Sequence, residues 1–175
     1  GFKGSWLKCI LLNLGSIVYG FSIKPDNSYI LNNSLNEDYK FKEFISSKKY
    51  IHYDLDIRNK EMIKKKILDI SPEIIFHMAA QPLVIESYKN PSYTWHTNVI
   101  GTINILESIR ELSKCSVVVV TTDKVYENKN NQKTFVETDI LGGSDPYSSS
   151  KAAVELAVKS WNKSFFREKN IKVST

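Results

Sequence analysis

Short runs of β-branched and apolar residues alternate with longer amphipathic stretches along most of this chain. This alternation constrains the fold more than any other feature, because strands that alternate with helices form a parallel sheet through crossover connections. Strand-length runs lie at Ile17–Ser22, Tyr50–Leu55, Ile74–Met78, Ser116–Thr121 and Ile171–Val173. Helices are predicted between them, at Ser5–Leu14, Tyr39–Ile45, Asn59–Ile70, Pro91–Leu112 and Pro146–Phe166. The pattern predicts an α/β fold with a doubly wound parallel sheet.

Individual residues refine this prediction. Gly15 follows the first helix, where a left-handed cap is expected. The run of four valines that begins at Val117 suits a central strand covered on both faces. The helix Pro91–Leu112 has so wide an apolar surface that we expect burial on two sides. Polar loops are predicted at 24–36 and 128–133, and a short segment at Leu83–Tyr88.

Composition excludes several functional classes. The chain has 175 residues and 42% hydrophobic content, which favours one globular domain, and its net charge of +5 comes mostly from scattered lysines. Because no basic surface is interleaved with stacking aromatics, we expect no nucleic-acid partner. No apolar run approaches the ~20 residues of a membrane span. Cys9 and Cys115 lack metal-site spacing, so we expect reduced cysteines in a cytoplasmic protein and no metal.

The clearest chemical signal is the pair Tyr147 and Lys151 on the last predicted helix. Four residues of helix place a phenol and an ammonium side by side. A neighbouring cation stabilises phenolate and lowers its pKa, so the tyrosine becomes a usable base. The same spacing occurs by chance in many helices. Its position one element after Thr122, Asp123 and Lys124, which follow the valine strand, favours an active site.

The opening residues Gly1, Phe2 and Gly4 are less specific. Glycines before a helix let the backbone approach a pyrophosphate, which the free amides of the helix N-terminus stabilise. An ordinary glycine turn is the alternative. Asp56, directly after the predicted strand Tyr50–Leu55, is explained equally well as a helix cap.

Together these motifs resemble the extended short-chain dehydrogenase/reductase family, whose members bind NAD on a Rossmann-like fold. Gly1 and Gly4 match the second and third glycines of its phosphate loop, and Asp56 with Ile57 matches the pair that flanks adenine. His77–Gln81 resembles the segment beside the nicotinamide ribose, with Ala79, Ala80 and Gln81 as contacts, and Asn98 matches an asparagine that supports the catalytic helix. The resemblance implies NAD as cofactor and a Rossmann-like domain over 1–175. It also implies a fragment that lacks the first strand and the C-terminal substrate-binding part.

Asp123 directs the resemblance toward the sugar-nucleotide 4,6-dehydratases, because expulsion of water needs a proton donor at the leaving hydroxyl. Epimerases of the family usually have a small or apolar residue there. Most of these dehydratases continue with a glutamate, whereas Lys124 resembles the branch that acts on CDP-glucose. The family mechanism implies that Tyr147, helped by Lys151 and Thr122, removes the proton of the 4-hydroxyl while hydride passes from carbon 4 to NAD. Lys124 then serves as the base at carbon 5 or stabilises an enolate.

Alternatives remain open at the level of sequence. The substrate of a dehydratase or epimerase could be another nucleotide sugar, and an inactive relative could bind a dinucleotide and regulate a partner. The residues Tyr19–Ser22 offer no acid for the adenosine ribose, so the choice between NAD and NADP does not follow from them. Relatives pair the helices that correspond to Pro91–Leu112 and Pro146–Phe166, which implies a homodimer.

Overall fold

The computed structural model describes residues 1–24, 34, 37–128 and 134–175. The predicted loop at 24–36 lies almost entirely outside the described residues, and so does most of the loop at 128–133. The chain forms two compact units, Gly1–Asp56 and Ile57–Thr175. Each unit has its own parallel sheet, which agrees with the predicted fold class.

The described part of the first unit contains two helices and two strands. They are α1 (Phe2–Asn13), β1 (Val18–Ser22), α2 (Tyr39–Ser46) and β2 (Tyr50–Asp54). The strands pair in parallel, with Val18 opposite Tyr50 and Ser22 opposite Asp54. All four elements lie within about two residues of their predicted ends, except the start of α1, which comes three residues earlier than Ser5.

Gly15 ends α1 as the sequence predicts. It has a φ of 87°, and its amide donates to the Leu12 carbonyl while the Ser16 amide donates to the Leu11 carbonyl. This pair of bonds is the Schellman arrangement, which needs a left-handed residue at that position. The cap directs the chain from α1 into β1.

In its described residues, the second unit contains three strands, four helices and a 3₁₀ turn. In chain order they are α3 (Lys60–Ile70), β3 (Ile74–His77), α4 (Val84–Lys89), α5, β4 (Lys114–Val119), the 3₁₀ turn Asp123–Val125, α6 and β5 (Asn170–Ser174). Helix α5 comprises Pro91–Trp95, a π-helical turn at His96–Ile100, and Gly101–Ile109. Helix α6 comprises Pro146–Trp161 and a π-helical turn at Asn162–Phe166. The strands form a parallel sheet in the order β3-β4-β5.

The valine strand β4 is central in its sheet, as predicted, but only one of its faces is covered within this unit. Cys115, Val117 and Val119 are buried, whereas Val118 is 37% exposed. Parallel strands in sequential order with right-handed crossovers place their connecting helices on one face. Since β3, β4 and β5 follow each other in this way, α5 and α6 cover the same side of the sheet.

The π-helical turns change which residues face the core. The sequence predicts that Phe165 continues the buried stripe of α6, but Phe165 is 38% exposed and Phe166 is buried instead. A π-helical turn inserts an extra residue per turn, so it shifts the buried position by one residue. In α5 the π-helical turn places Thr97 and Asn98 next to each other in the interior.

No helix in the described ranges combines the length and apolar character that a bilayer span requires.

Gly143 is the tightest glycine of the second unit, and we predict that Gly143→Ala destabilises the protein. A Cβ there would lie 2.3 Å from the Ser148 carbonyl carbon and the Ser149 amide nitrogen, which are backbone atoms of α6. Overpacking of this kind costs about 1–3 kcal/mol. Gly142→Ala is the matched control, because its Cβ would lie 3.6 Å from the Glu127 Cβ, an ordinary contact. Urea unfolding of both variants measures the difference, and equal midpoints would contradict the prediction.

Candidate active site

The candidate site lies where β3 and β4 end in the second unit. The two strands run in parallel with His77 opposite Val119, so the segments that follow them leave the sheet at the same edge. One segment contains Ala79, Ala80 and Gln81, and the other contains Thr121 and Thr122. The carboxyl edge of a parallel sheet is the usual position of ligand sites in open α/β folds.

Asn98 in the π-helical turn of α5 holds the first segment in place. It is 1% exposed and its Oδ1 accepts a hydrogen bond from the Gln81 amide at 2.8 Å. Its Nδ2 donates to the Gln81 carbonyl at 3.2 Å and to Ser150 Oγ on α6 at 2.9 Å. One side chain therefore connects the segment after β3, α5 and α6.

Gln81 is buried and uses its side chain within the protein. Its Nε2 donates to Thr94 Oγ1 at 2.8 Å and to the Leu83 carbonyl at 3.1 Å, and its Oε1 accepts from the Leu83 amide at 2.6 Å. Ala79 and Ala80 beside it are half-buried. The structure thus places Gln81 and Asn98 as supports of this segment, while the two alanines form its accessible part.

Lys151 is a buried cation on α6. Its Nζ donates to the Val120 carbonyl at 3.0 Å, at the end of β4. Burial lowers the pKa of Lys151 to about 8, while the charge of Glu155 acts to raise it. His77 at the end of β3 is neutral, because burial and the nearby Lys151 charge lower its pKa to about 3, and its Nε2 lies 2.8 Å from Thr102 Oγ1. The geometry gives His77 a structural role.

Tyr147 lies one turn before Lys151 and its side chain is 9% exposed. Burial raises the pKa of the phenol, a hydrogen bond with the Thr122 side chain lowers it, and the charges of Asp123 and Asp145 raise it; the net direction is upward. The sequence predicted the opposite direction, from the cation of Lys151. That prediction is wrong for the protein alone, because Lys151 is directed to the Val120 carbonyl and two carboxylates face the phenol.

Asp145 begins α6 and positions Tyr147. Its Oδ1 accepts from the Tyr147 amide at 2.9 Å and the Ser148 amide at 3.0 Å, and its Oδ2 accepts from Ser148 Oγ at 2.6 Å. Burial acts to raise the pKa of this carboxyl, but the hydrogen bonds from Ser148 and Tyr147 and the charge of Lys124 outweigh it, so the net pKa is lowered. Asp145 is a helix cap that the sequence analysis did not single out, although an aspartate before Pro146 is a typical cap signal.

Asp123 and Lys124 lie in the 3₁₀ turn after the valine strand, and both are exposed. Thr122 precedes the turn in extended conformation, and its Oγ1 donates to Asp123 Oδ1 at 3.1 Å. The predicted catalytic residues therefore all lie in one unit: Thr122, Asp123, Lys124, Tyr147 and Lys151. Their geometry places a carboxylate and a hydroxyl beside a buried phenol.

The predicted phosphate-binding residues lie in the first unit. Gly1 is the N-terminal cap of α1 without a side-chain hydrogen bond, Phe2 is exposed, and a Cβ on Gly4 would meet no atom within 4 Å. At the end of β1, where an acid would contact a ribose, Ser22 Oγ lies 3.4 Å from His52 Nε2.

Asp56 ends the first unit, and its side chain has an interaction partner. Ile57 begins the second unit and is buried against α5, where a Cβ on Gly101 would lie 2.5 Å from Ile57 Cδ1. The Ile57 carbonyl accepts a hydrogen bond from Asn104 Nδ2 at 2.9 Å. Asn104 was not predicted from the sequence, because its hydrogen-bond partner Ile57 is 47 residues away along the chain. The signal that could have identified it is an asparagine on the apolar stripe of a helix.

The strand ends, the buried phenol and ammonium on one helix, and the neighbouring hydroxyl define a Rossmann-like protein of the short-chain dehydrogenase/reductase class. A family model described as GDP-mannose 4,6 dehydratase matches residues 1–171. The chain belongs to this family, which confirms the extended type that the sequence motifs resemble.

Individual relatives agree with this assignment. The chain is 39% identical over 171 residues to the CDP-glucose 4,6-dehydratase of Salmonella typhimurium, which covers 97% of this chain and 45% of that protein. A dTDP-glucose 4,6-dehydratase from Streptomyces venezuelae, solved with NAD and TYD bound, has a TM-score of 0.77 at 22% identity and matches 99% of this chain and 52% of its own. The Thermus thermophilus UDP-glucose 4-epimerase in complex with NAD has a TM-score of 0.74 at 25% identity, and the match covers 94% of this chain and 49% of the epimerase chain. The chain thus spans about half the length of these relatives.

Proposed function

We propose that the full-length protein containing this chain is a 4,6-dehydratase that converts CDP-glucose to its 4-keto-6-deoxy derivative. The observation that carries the proposal is the carboxylate of Asp123, which accepts a hydrogen bond from Thr122 beside the Tyr147 phenol. An acid at that position supplies the proton that elimination of water requires. The similarity to a CDP-glucose 4,6-dehydratase supports the choice of substrate.

The residues present fit NAD as the cofactor. In the second unit Lys151 donates one hydrogen bond to Val120, and among the described residues we find no second acceptor for its three N–H groups. The remaining donors suit ribose hydroxyls, and the half-buried Ala79 and Ala80 allow close approach. In the first unit the uncapped start of α1 at Gly1, Phe2 and Gly4 suits a pyrophosphate. Bound NAD would take two electrons from carbon 4 of the sugar and return them at carbon 6.

Tyr147 is the base of the first step in this proposal. As phenolate, Tyr147 removes the proton of the 4-hydroxyl, and its interaction with the Thr122 side chain lowers the pKa of the phenol. Lys151 supports the same negative charge from one turn away on α6. Because burial and two carboxylates raise the phenol pKa in the protein alone, the positive charge of Lys151 and of the cofactor must act against them.

Asp123 and Lys124 act in the second step. The ketone at carbon 4 acidifies carbon 5, and Lys124 either removes that proton as a neutral amine or stabilises the enolate as a cation. Asp123 protonates the departing 6-hydroxyl, so one molecule of water leaves. The two exposed side chains lie next to each other in the 3₁₀ turn, which allows both to reach one sugar.

The substrate assignment predicts that full-length protein with NAD converts CDP-glucose to a product lighter by one water, without net consumption of NAD. Mass spectrometry of the product and absorbance of the cofactor before and after turnover measure both quantities. The dTDP and UDP sugars are the matched comparison substrates. Turnover of either of them without turnover of CDP-glucose would overturn the choice of substrate, and epimerised product of unchanged mass would favour an epimerase.

Two substitutions separate the proposed steps. Tyr147→Phe keeps the ring and its packing but removes the base, so we expect kcat to fall by about a hundredfold or more while the protein stays folded. Asp123→Asn leaves the first step intact and blocks loss of water, so stopped-flow absorbance should show reduced cofactor that accumulates. If Asp123→Asn releases water at the wild-type rate, Asp123 is not the acid, and the main reason to prefer a dehydratase is lost.

A homodimer formed through α5 and α6 completes the proposal. Tyr93, Trp95 and Ile100 on α5 and Leu156 on α6 are large apolar residues with 37–56% exposure, which a second copy would cover. Light scattering of the full-length protein at micromolar concentration should give twice the monomer mass. Leu156→Glu should lower that mass, and a monomeric wild type would contradict the proposal.

We also place the protein in the cytoplasm. Cys9 and Cys115 are free and the described residues form no disulfide, which fits a reducing compartment. Cys9 is half-buried, whereas Cys115 is buried in β4.

A further inference from the structure

Glu155 lies on α6 one turn after Lys151, and both oxygens of its carboxylate are engaged. Oε1 accepts a hydrogen bond from Thr121 Oγ1, on the residue directly before Thr122. Oε2 accepts a hydrogen bond from Thr175 Oγ1 at 2.5 Å. The Glu155 carboxylate therefore links the residues that follow β4 and β5 to α6, the helix that carries Tyr147.

A second hydrogen bond links the end of β4 to α6. Lys151 Nζ donates to the carbonyl of Val120, and Glu155 accepts from Thr121, the next residue. Lys151 and Glu155 are four residues apart and share one face of α6. Two consecutive residues at the end of β4 are thus attached to two successive turns of α6, which sets the position of Thr122 relative to Tyr147.

We propose that Glu155 is a positioning residue that holds the Thr122 hydroxyl and the Lys151 ammonium in place for the proposed reaction. The inference rests on the dehydratase function proposed above. It adds a residue that touches neither sugar nor cofactor and acts through Thr121 and Lys151.

The electrostatics of Lys151 agree with this role. Burial lowers its pKa to about 8, and Glu155 is the charged group that raises it. Among the described residues, the charge of Lys151 also acts on His77 at the end of β3, which is neutral, and Tyr147 lies one turn away on the same helix. Glu155 itself accepts hydrogen bonds from the hydroxyls of Thr121 and Thr175, and its charge acts on the Lys151 ammonium.

The sign of the expected pH effect follows from this arrangement. The Glu155 charge raises the Lys151 pKa, which burial lowers from 10.5 to about 8. Without that charge, the Lys151 pKa falls further. Lys151 then loses its proton at a lower pH. Catalysis that requires the charged form should therefore decline at a lower pH on the alkaline side of the profile.

Glu155→Gln in the full-length protein with NAD tests the proposal. We expect kcat to fall about tenfold, the effect of one lost charged hydrogen bond, and the alkaline limb of kcat to move down by about one pH unit. Thr121→Val removes the hydrogen bond but keeps the charge, so it should lower kcat without moving the limb. Glu168→Gln, which removes an exposed carboxylate after α6, should change neither.

A second readout does not depend on activity. In protein with ¹³C-labelled lysine, the Lys151 signal, assigned with Lys151→Arg, should titrate at lower pH in Glu155→Gln than in the wild type. Glu155→Asp should restore the titration, since it keeps the charge. Titration of Lys151 at the wild-type pH in Glu155→Gln, or an unchanged kcat in Thr121→Val, would overturn the proposal. A wild type that converts no nucleotide sugar would overturn the proposed function, while the titration still tests Glu155.

Discussion

The second unit depends on the hydrogen bonds of one buried amide, Asn98. Its carbonyl oxygen and its amino group bind both backbone groups of Gln81 and the Ser150 hydroxyl, and Ser150 in turn donates to the Tyr147 carbonyl. Each of these groups would cost about 1–3 kcal/mol if it were buried without a partner. The segment after β3 and the first turns of α6 therefore have a single arrangement that satisfies them all. The π-helical turn of α5 makes this possible, because it directs Asn98 into the interior.

Burial of ionisable groups gives this site its chemistry. Lys151 lies in the interior and its pKa is close to neutral pH, while the phenol of Tyr147 and the imidazole of His77 are both held in their neutral forms. A buried cation whose ammonium donates to the Val120 carbonyl interacts strongly with any negative charge that forms nearby, since the low local dielectric strengthens the attraction. Additional positive charge beside the phenol would therefore favour its ionisation.

The fold was predictable where the pattern is local. The bounds of β1, β2, β3 and β5, the cap at Gly15 and the start of α6 at Pro146 follow from β-branched runs, glycine and proline, whose preferences act over a few residues. The buried Phe166 and the open face of β4 were not predictable in this way. The burial of Phe166 depends on an extra residue within a helical turn. The open face of β4 depends on the side of the sheet on which the crossover connections place their helices.

The sequence by itself determined the order of strands and helices, the family motifs, and the spacing that places Tyr147 and Lys151 on one helix. Only the tertiary structure decided the direction of the Tyr147 pKa, the partners of Asn98 and the engagement of Glu155 by Thr121 and Thr175. The physical reason is distance along the chain. Asn98 and Ser150 are 52 residues apart and Thr121 and Glu155 are 34 apart, and no local preference encodes such contacts. They form when packing brings buried polar groups together and burial requires each of them to find a partner.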